Sequence, residues 1–516
     1  MQVRKLENMF ILIYITIYSY VNVLFLEKYP FIHSDEVWLA GLTRNMMENK
    51  SFSVTESFFD LYPRAPHAIK MFFHGFQMIF IKLFGYNIFS VRLMSHIFGI
   101  ISLLLFYKLC LLIFKSSKIS IALTILMSLD SQFIYASHFG RNEILIFLMI
   151  IVSLFYFFNN IESLNYKHDI VAGILTGISI GFHPNAFMIF ISMIFVYLFY
   201  IFIRKKKTIK NLILYFAIVS IFGIIFILVS LKFNINFFRD YFEYGKQFGV
   251  NYPIESKINQ IKFFYIKLFY GISGTYYTPD IKFQLILFSI AFFTSILKLI
   301  FIETDNENFI SPIILFVLGI NMGIILIGRF NQTSVIFIFP FLYILIYYCI
   351  KSSNFKLNIL IFLVLSSILG YQSYKNIVYY KDNNYESYLT EISTVVPNNA
   401  EVLGNLNSEF YFDNKVFHDY RNLGYLKEAN KSFEEYITEN KIQYIIYPEE
   451  MDFIYEKRPK WNGLYGNVAY YYEDMQNFFE HRCELLHEFS DKVYGMRIVR
   501  YINTKDWNIK IYKVVR

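Results

Sequence analysis

The sequence predicts a polytopic α-helical membrane protein with a small C-terminal extracytoplasmic α/β domain, and three observations lead there. The chain is 56% hydrophobic and 20% aromatic, and the apolar residues gather into long uncharged runs rather than scattering over a soluble surface. Basic clusters stand at the ends of those runs, foremost Arg204-Lys205-Lys206-Lys207, the pattern that holds loops in the cytoplasm. From about Lys375 onward the composition shifts to that of a soluble domain of about 140 residues, enough for a small core. The formal net charge of +8 is accounted for by these clusters, so no nucleic-acid partner is implied. Cys110, Cys349 and Cys483 stand far apart, which leaves neither a disulfide framework nor a zinc-ligand spacing.

The elements follow in order. Met9 to Leu26 is uncharged and long enough to cross a hydrocarbon core of about 30 Å. Arg4 and Lys5 precede it and no small-residue cleavage site follows, so it reads as a retained anchor with a cytoplasmic N-terminus. An outer loop, 27–90, comes next. Within it the run Met71 to Phe84, interrupted by His74 and Lys82, is short for a span and reads as an interfacial helix. Spans follow near Leu93 to Leu112, Ile119 to Ser137, Ile144 to Phe158, Ile170 to Phe182 and Asn185 to Ile203. In the fourth of these, Gly173, Gly177 and Gly181 share one face at four-residue spacing, which permits close helix contact. His183-Pro184 ends that helix, because proline disfavours helical geometry in the residue before it.

After the Arg204 cluster, spans fall near Asn211 to Leu231, Phe283 to Phe301, Phe309 to Ile327, Val335 to Ile350 and Leu357 to Tyr371, giving about eleven in all. The outer segment Lys232 to Lys282 contains an amphipathic stretch, Ile258 to Tyr270. An odd count places the C-terminus outside; parity rather than charge places the acidic turn Glu303 to Asn308 inside. The chain thus divides into a transmembrane part, 1–374, and a soluble part, 375–516. In the latter, Glu401 to Leu406, Gln443 to Tyr447 and Trp507 to Val514 read as strands, and Ser432 to Asn440 and Tyr472 to Leu486 as helices. His418-Asp419 reads as a solvated turn.

This topology brings Asp35, Glu36, Arg64, His67, Arg141, Glu143, His183 and Arg329 to the outer ends of spans. Each has a bland explanation, as a helix cap, a local ion pair or a snorkelling boundary residue; together on one face they mark a wet cavity, since ionisable groups at membrane depth are costly. An isoprenoid-phosphate sugar donor carries its head group at that depth. Its use needs cations for the phosphate and a carboxylate to deprotonate the attacking hydroxyl, and the set holds both kinds.

The order of short motifs carries a resemblance. Asp-Glu in the first outer loop is followed by Leu-Phe-Gly-Tyr-Asn-Ile-Phe-Ser-Val-Arg-Leu (83–93), Phe-Gly-Arg-Asn-Glu (139–143) and Gly-Phe-His-Pro-Asn-Ala (181–186). The chain thereby resembles the membrane glycosyltransferases of the C-type superfold, nearest in pattern to the protein O-mannosyltransferases and the lipid A aminoarabinose transferases. The resemblance implies Asp35 as catalytic base with Glu36 beside it, Arg141 and Glu143 as the second-loop catalytic pair, and His183 at a basic position after the fifth helix. It implies Arg329 as a ligand of the lipid phosphate; Arg64 and His67 join it as donor-phosphate groups. No cofactor is certain, and a divalent cation between Asp35 and Glu143 is left open. The aminoarabinose branch reads Glu-Lys-Pro-Pro where this chain has Pro63-Arg64-Ala65-Pro66-His67, which argues against a lipid A acceptor.

The function so implied is inverting transfer of a hexosyl or pentosyl group from a polyprenyl-phosphate-linked sugar to a hydroxyl of a lipid, glycan or protein, at the outer face of the plasma membrane among its lipids. The competing reading is a transporter or flippase of lipid-linked intermediates, for which the expected internal repeat is not evident.

Overall fold

The computed structural model describes residues 2–163, 165–272, 274–301, 309–328 and 330–515. Arg329 and the acidic turn Glu303 to Asn308 lie outside the described residues. Seven helices among those described are long and apolar enough to cross a membrane: Ile88–Phe114, Ala186–Ile203, Ile209–Phe233, Lys282–Phe301, Ile310–Ile327, Gln332–Ile350 and Phe355–Tyr379. An eighth span is made if the bent pair Ser117–Ser128 and Ser131–His138 counts as one. Eleven spans are expected from the sequence; the first, fourth and fifth of them form helices, Gln2–Val23, Glu143–Asn159 and Tyr166–Ile180, that do not meet the same measure. Met71–Phe84 forms a separate apolar helix of 14 residues.

The third expected span is not continuous. It bends by 67° at Asp130, whose Oδ1 accepts from the backbone N–H groups of Gln132 (2.8 Å) and Phe133 (3.2 Å). A side-chain acceptor at this place caps a new helix in the middle of the run. The groups released by the break are satisfied from elsewhere: Tyr343 Oη donates to Asp130 Oδ2 at 2.5 Å and Ser373 Oγ to the Leu129 carbonyl at 2.7 Å. The glycine face of Tyr166–Ile180 packs on Ile209–Phe233, where a Cβ on Gly177 would lie 2.5 Å from Phe222 Cγ. A second close approach, between Ala186–Leu198 and Ile310–Ile327, has Gly319 against the Ser192 backbone.

The C-terminal residues form a five-stranded sheet of order β2-β1-β3-β5-β4: β1 Val402–Gly404, β2 Phe417–Asp419, β3 Tyr444–Pro448, β4 Cys483–Asp491 and β5 Trp507–Val514. β2, β1 and β3 run parallel, and β5 and β4 are antiparallel neighbours. The helix expected to reach Leu486 ends at Arg482, because Cys483–Asp491 pairs along β5 and sets Glu484 opposite Lys513 and Glu488 opposite Lys510, cross-strand charges of opposite sign. The solvated turn expected at His418-Asp419 is instead a buried strand, with His418 9% and Asp419 1% exposed.

The two faces of the sheet serve different cores. Val402, Ile446, Ile509 and Ile511 join the apolar core that runs on into the membrane helices, whereas Leu403, Ile445 and Tyr447 pack with Phe433, Tyr436 and Ile437 in a second core. Period-two alternation of the strands makes this division. The boundary expected at 374/375 lies inside the helix Phe355–Tyr379. Segments of the first loop lie against the sheet unit: the Phe58 carbonyl accepts from Asp419 N and Asn422 Nδ2, and Arg44 pairs with Glu409.

Candidate active site

Asp35 stands in the first turn of the helix Ser34–Glu48. A capping box opens that helix: His33 Nδ1 accepts from Asp35 N at 3.0 Å and Glu36 Oε2 from His33 N at 3.0 Å. The N-terminal turn favours negative charge, so the cap fixes both carboxylates while sending them in different directions.

Glu36 points inward. It is fully buried, receives Arg92 Nε (2.8 Å) and Nη2 (2.7 Å), and accepts from Gly140 N at 2.7 Å. Arg92 in turn donates to the carbonyls of Leu26, Pro30 and Phe31. Among the catalytic residues expected from the sequence, Glu36 therefore does not face the cavity. It ties the first loop to the helix Ile88–Phe114 and to the Gly140 turn, and so positions Asp35.

Asp35 points outward, with 24% of its side chain accessible. Its Oδ2 accepts a hydrogen bond from Tyr276 Oη and faces Arg141 Nη1 at 3.1 Å; Oδ1 lies 3.7 Å from His33 Nδ1. Arg141 reaches on to Glu143 Oε1 at 3.2 Å, and that oxygen accepts from Thr333 Oγ1 at 2.7 Å. The guanidinium thus bridges the two carboxylates between which the sequence leaves a divalent cation open. Among the described residues no group of three or more His, Cys, Asp or Glu side chains gathers as metal ligands.

Burial raises the proton affinity of Asp35, but His33, Arg141, the Tyr276 hydrogen bond and Arg421 outweigh it and hold the carboxyl well below its usual range. Burial, with the charges of Arg141, Arg497 and Arg421, lowers the His33 pKa to about 4 despite the opposing pull of Asp35. At neutral pH the corner holds an ionised Asp35 beside a neutral His33, whose ring stacks on Tyr276 at 4.5 Å between centroids.

The cavity in front of Asp35 has a volume of about 350 Å³, and Arg64, His67, Arg141, Asn142 and His183 are among its walls. Arg64, expected on the donor phosphate, is bound bidentately by Glu56, with both contacts at 3.0 Å; its charge is met within the wall. Burial and the charges of Lys70 and Arg64 lower His67 to about 3, so it is neutral there and offers hydrogen bonds rather than charge. His183 Nδ1 accepts from Asn185 N at 3.1 Å, which orients its ring behind the Pro184 turn. Arg329, expected on the lipid phosphate, lies outside the described residues.

Among the cavity residues that escape the sequence reading are Tyr276, Arg421 and Arg497. Tyr276 sits in an aromatic-rich outer segment where nothing distinguishes it from its neighbours. Arg421 follows β2 and stacks over Trp38 at 4.4 Å, with its Nε on Asp419 Oδ1 at 2.7 Å. Arg497 Nη2 donates to Ser34 Oγ at 3.0 Å. Their separation from Asp35 along the chain leaves no local signal. His418 is held between Glu401 (3.2 Å) and Asp60 (3.9 Å); burial lowers its pKa, but both carboxylates outweigh that and raise it to about 9.

Residues 71–231 match the family model of dolichyl-phosphate-mannose-protein mannosyltransferase. No curated protein is significantly similar to the chain in sequence. Among solved structures, the chain is similar to the oligosaccharyltransferase AglB from Archaeoglobus fulgidus in complex with an inhibitory peptide and a dolichol-phosphate, with TM-score 0.54, 12% identity, and 92% of this chain and 72% of that chain covered. It is also similar to ArnT from Cupriavidus metallidurans bound to undecaprenyl phosphate, with TM-score 0.58, 8% identity and 97% of each chain covered. The chain resembles the C-type membrane glycosyltransferases, in sequence pattern over residues 71–231 and in fold across most of its length.

Proposed function

We propose that this protein is an inverting glycosyltransferase that moves a hexosyl or pentosyl group from a polyprenyl-phosphate donor to an acceptor hydroxyl at the outer face of the plasma membrane. The single observation that carries the reading is the state of Asp35: one carboxylate oxygen is fixed by Tyr276 and Arg141 while the side chain stays accessible in a cavity at the membrane-helix ends. The neighbours' ligands, a dolichol-phosphate and an undecaprenyl phosphate, support the donor class.

In the proposed reaction the acceptor oxygen attacks the anomeric carbon, the carbon–oxygen bond to the lipid phosphate breaks on the opposite side, and Asp35 takes the hydroxyl proton. A carboxylate with so low a proton affinity is a weak base, so the proton moves late, when bond formation to the anomeric carbon has made the hydroxyl acidic. Arg141 holds Asp35 and Glu143 in register. Arg329 and His183 are assigned to the departing phosphate, whose charge preorganised donors stabilise best in a site shielded from water.

Asp35→Asn keeps the shape of the site and removes the base. Transfer of labelled sugar from a polyprenyl-phosphate donor, in membranes containing the variant, should fall by about 10²–10⁴-fold. Transfer at a near-wild-type rate would remove Asp35 from the mechanism, and movement of lipid between leaflets without a new glycosidic bond would favour the transporter reading.

A further inference from the structure

The C-terminal unit places two guanidinium groups in the wall of the Asp35 cavity, and one of them makes no ion pair among the described residues. Arg497 is held by Ser34 Oγ and by the Leu464 carbonyl, both neutral. Its Nε is buried without a hydrogen-bond partner; Glu450, whose Oε2 accepts from the Arg497 backbone N at 2.7 Å, and Asp419 act on its charge without forming an ion pair with the guanidinium. Arg421 stands nearby, paired with Asp419 and sandwiched against Trp38 and Phe59 at 4.4 and 5.0 Å. Arg141 Nε and Asn142 Nδ2, on the same cavity, are likewise buried and unpartnered. A guanidinium withdrawn from water with donors unused is costly unless an anion completes it.

Their position says which substrate brings that anion. In an inverting displacement the base and the leaving group lie on opposite sides of the anomeric carbon. With the acceptor oxygen within hydrogen-bond reach of Asp35 and about 3–3.5 Å from that carbon, the lipid phosphate sits beyond the sugar ring. Arg497 touches Ser34, the residue before Asp35, and Arg421 lies close enough to bear on the charge of Asp35. Both are on the acceptor side.

We propose that Arg497 and Arg421 bind an anionic group, a carboxylate or a phosphate, carried by the acceptor next to the hydroxyl that is glycosylated. The proposal rests on the assignment of Asp35 as the acceptor base. A fixed guanidinium fork recognises either anion bidentately, so the C-terminal unit selects acidic acceptors while the membrane helices hold the donor.

The test uses the full chain in lipid nanodiscs with glucuronate, glucose 6-phosphate, glucose and undecaprenyl phosphate as probes, read as thermal-unfolding shifts against concentration. The wild type should be stabilised by glucuronate or glucose 6-phosphate at concentrations where glucose has no effect. Arg497→Gln and Arg421→Gln should weaken that response by about tenfold or more and leave the undecaprenyl phosphate response intact. If Arg497→Gln loses both responses through misfolding, Arg497→Lys decides, since it keeps the charge and loses the fork: a weakened acidic-sugar response supports the proposal, and an unchanged one overturns it. Equal responses to glucose and the acidic sugars overturn it, as does loss of the undecaprenyl phosphate response alone, which would assign the arginines to the donor. A wild-type chain that ignores undecaprenyl phosphate altogether overturns the transferase reading and the proposal with it, a separate and recognisable result.

Discussion

At the scale of single residues, Asp35 and Glu36 show how two adjacent carboxylates take opposite roles. One turns to the cavity and the other is sealed against Arg92, a side chain with no exposed surface. Glu36→Gln leaves that guanidinium buried without its counter-charge, at a cost of about 3–5 kcal/mol. The thermal midpoint of the purified protein should fall markedly, whereas Asp35→Asn, whose side chain is partly accessible and whose partner Arg141 keeps Glu143, should lower it less; equal midpoints for the two would refute the division of roles. The Asp35, Arg141 and Glu143 cluster was legible in the sequence because the topology puts all three at the outer ends of spans, where their common side outweighs the bland use each has alone. The different fates of Asp35 and Glu36 were not, since they depend on Arg92 arriving from another helix. Arg64 looked like a phosphate ligand for the same reason: its partner Glu56 lies eight residues away in an irregular loop with no period to reveal the pair.

At the scale of elements, the helices were read from hydropathy, which reports length and polarity but not continuity. The run Ile119 to Ser137 contains one acid, Asp130, and an average over the run hides it. In the fold that acid ends one helix and starts another, and Tyr343 and Ser373 arrive from distant helices to complete the break. Asp130→Ala removes the cap and leaves buried donors unpaired, a loss of about 1–3 kcal/mol. Hydrogen exchange at the Gln132 and Phe133 amides should quicken while the far end of the helix Glu143–Asn159 stays protected; unchanged protection at both amides would show that the bend does not depend on the cap. The glycine face of Tyr166–Ile180 was legible because spacing alone puts three glycines on one side. Strand β4 was not: its residues read equally well as the end of a helix, and only pairing with β5 decides between the two.

At the scale of the whole molecule, the positive-inside pattern and the sheet unit make a joint expectation about sides. A cysteine at exposed Lys460, in a chain whose own cysteines are serine, should react with a membrane-impermeant maleimide in intact cells, and one at exposed Lys205 only after permeabilisation. The reverse result would invert the map and move the cavity to the cytoplasmic face. Composition marks the change of character along the chain near Lys375; the place of the C-terminal sheet against the first loop is not legible there, because the contacts that set it, such as Phe58 with Asn422 and Tyr436 with Asp60, join residues remote in sequence.

The contact between Ser34 and Arg497 spans 463 residues. At ribosomal rates of about 5–20 residues per second, an interval of roughly 20–90 s separates the synthesis of the two halves of the cavity. Throughout that time the nascent chain carries the Asp35 loop without the Arg497 side of the cavity. In the proposed reaction the acceptor side of the site is therefore completed only after the segment around Arg497 has been synthesised.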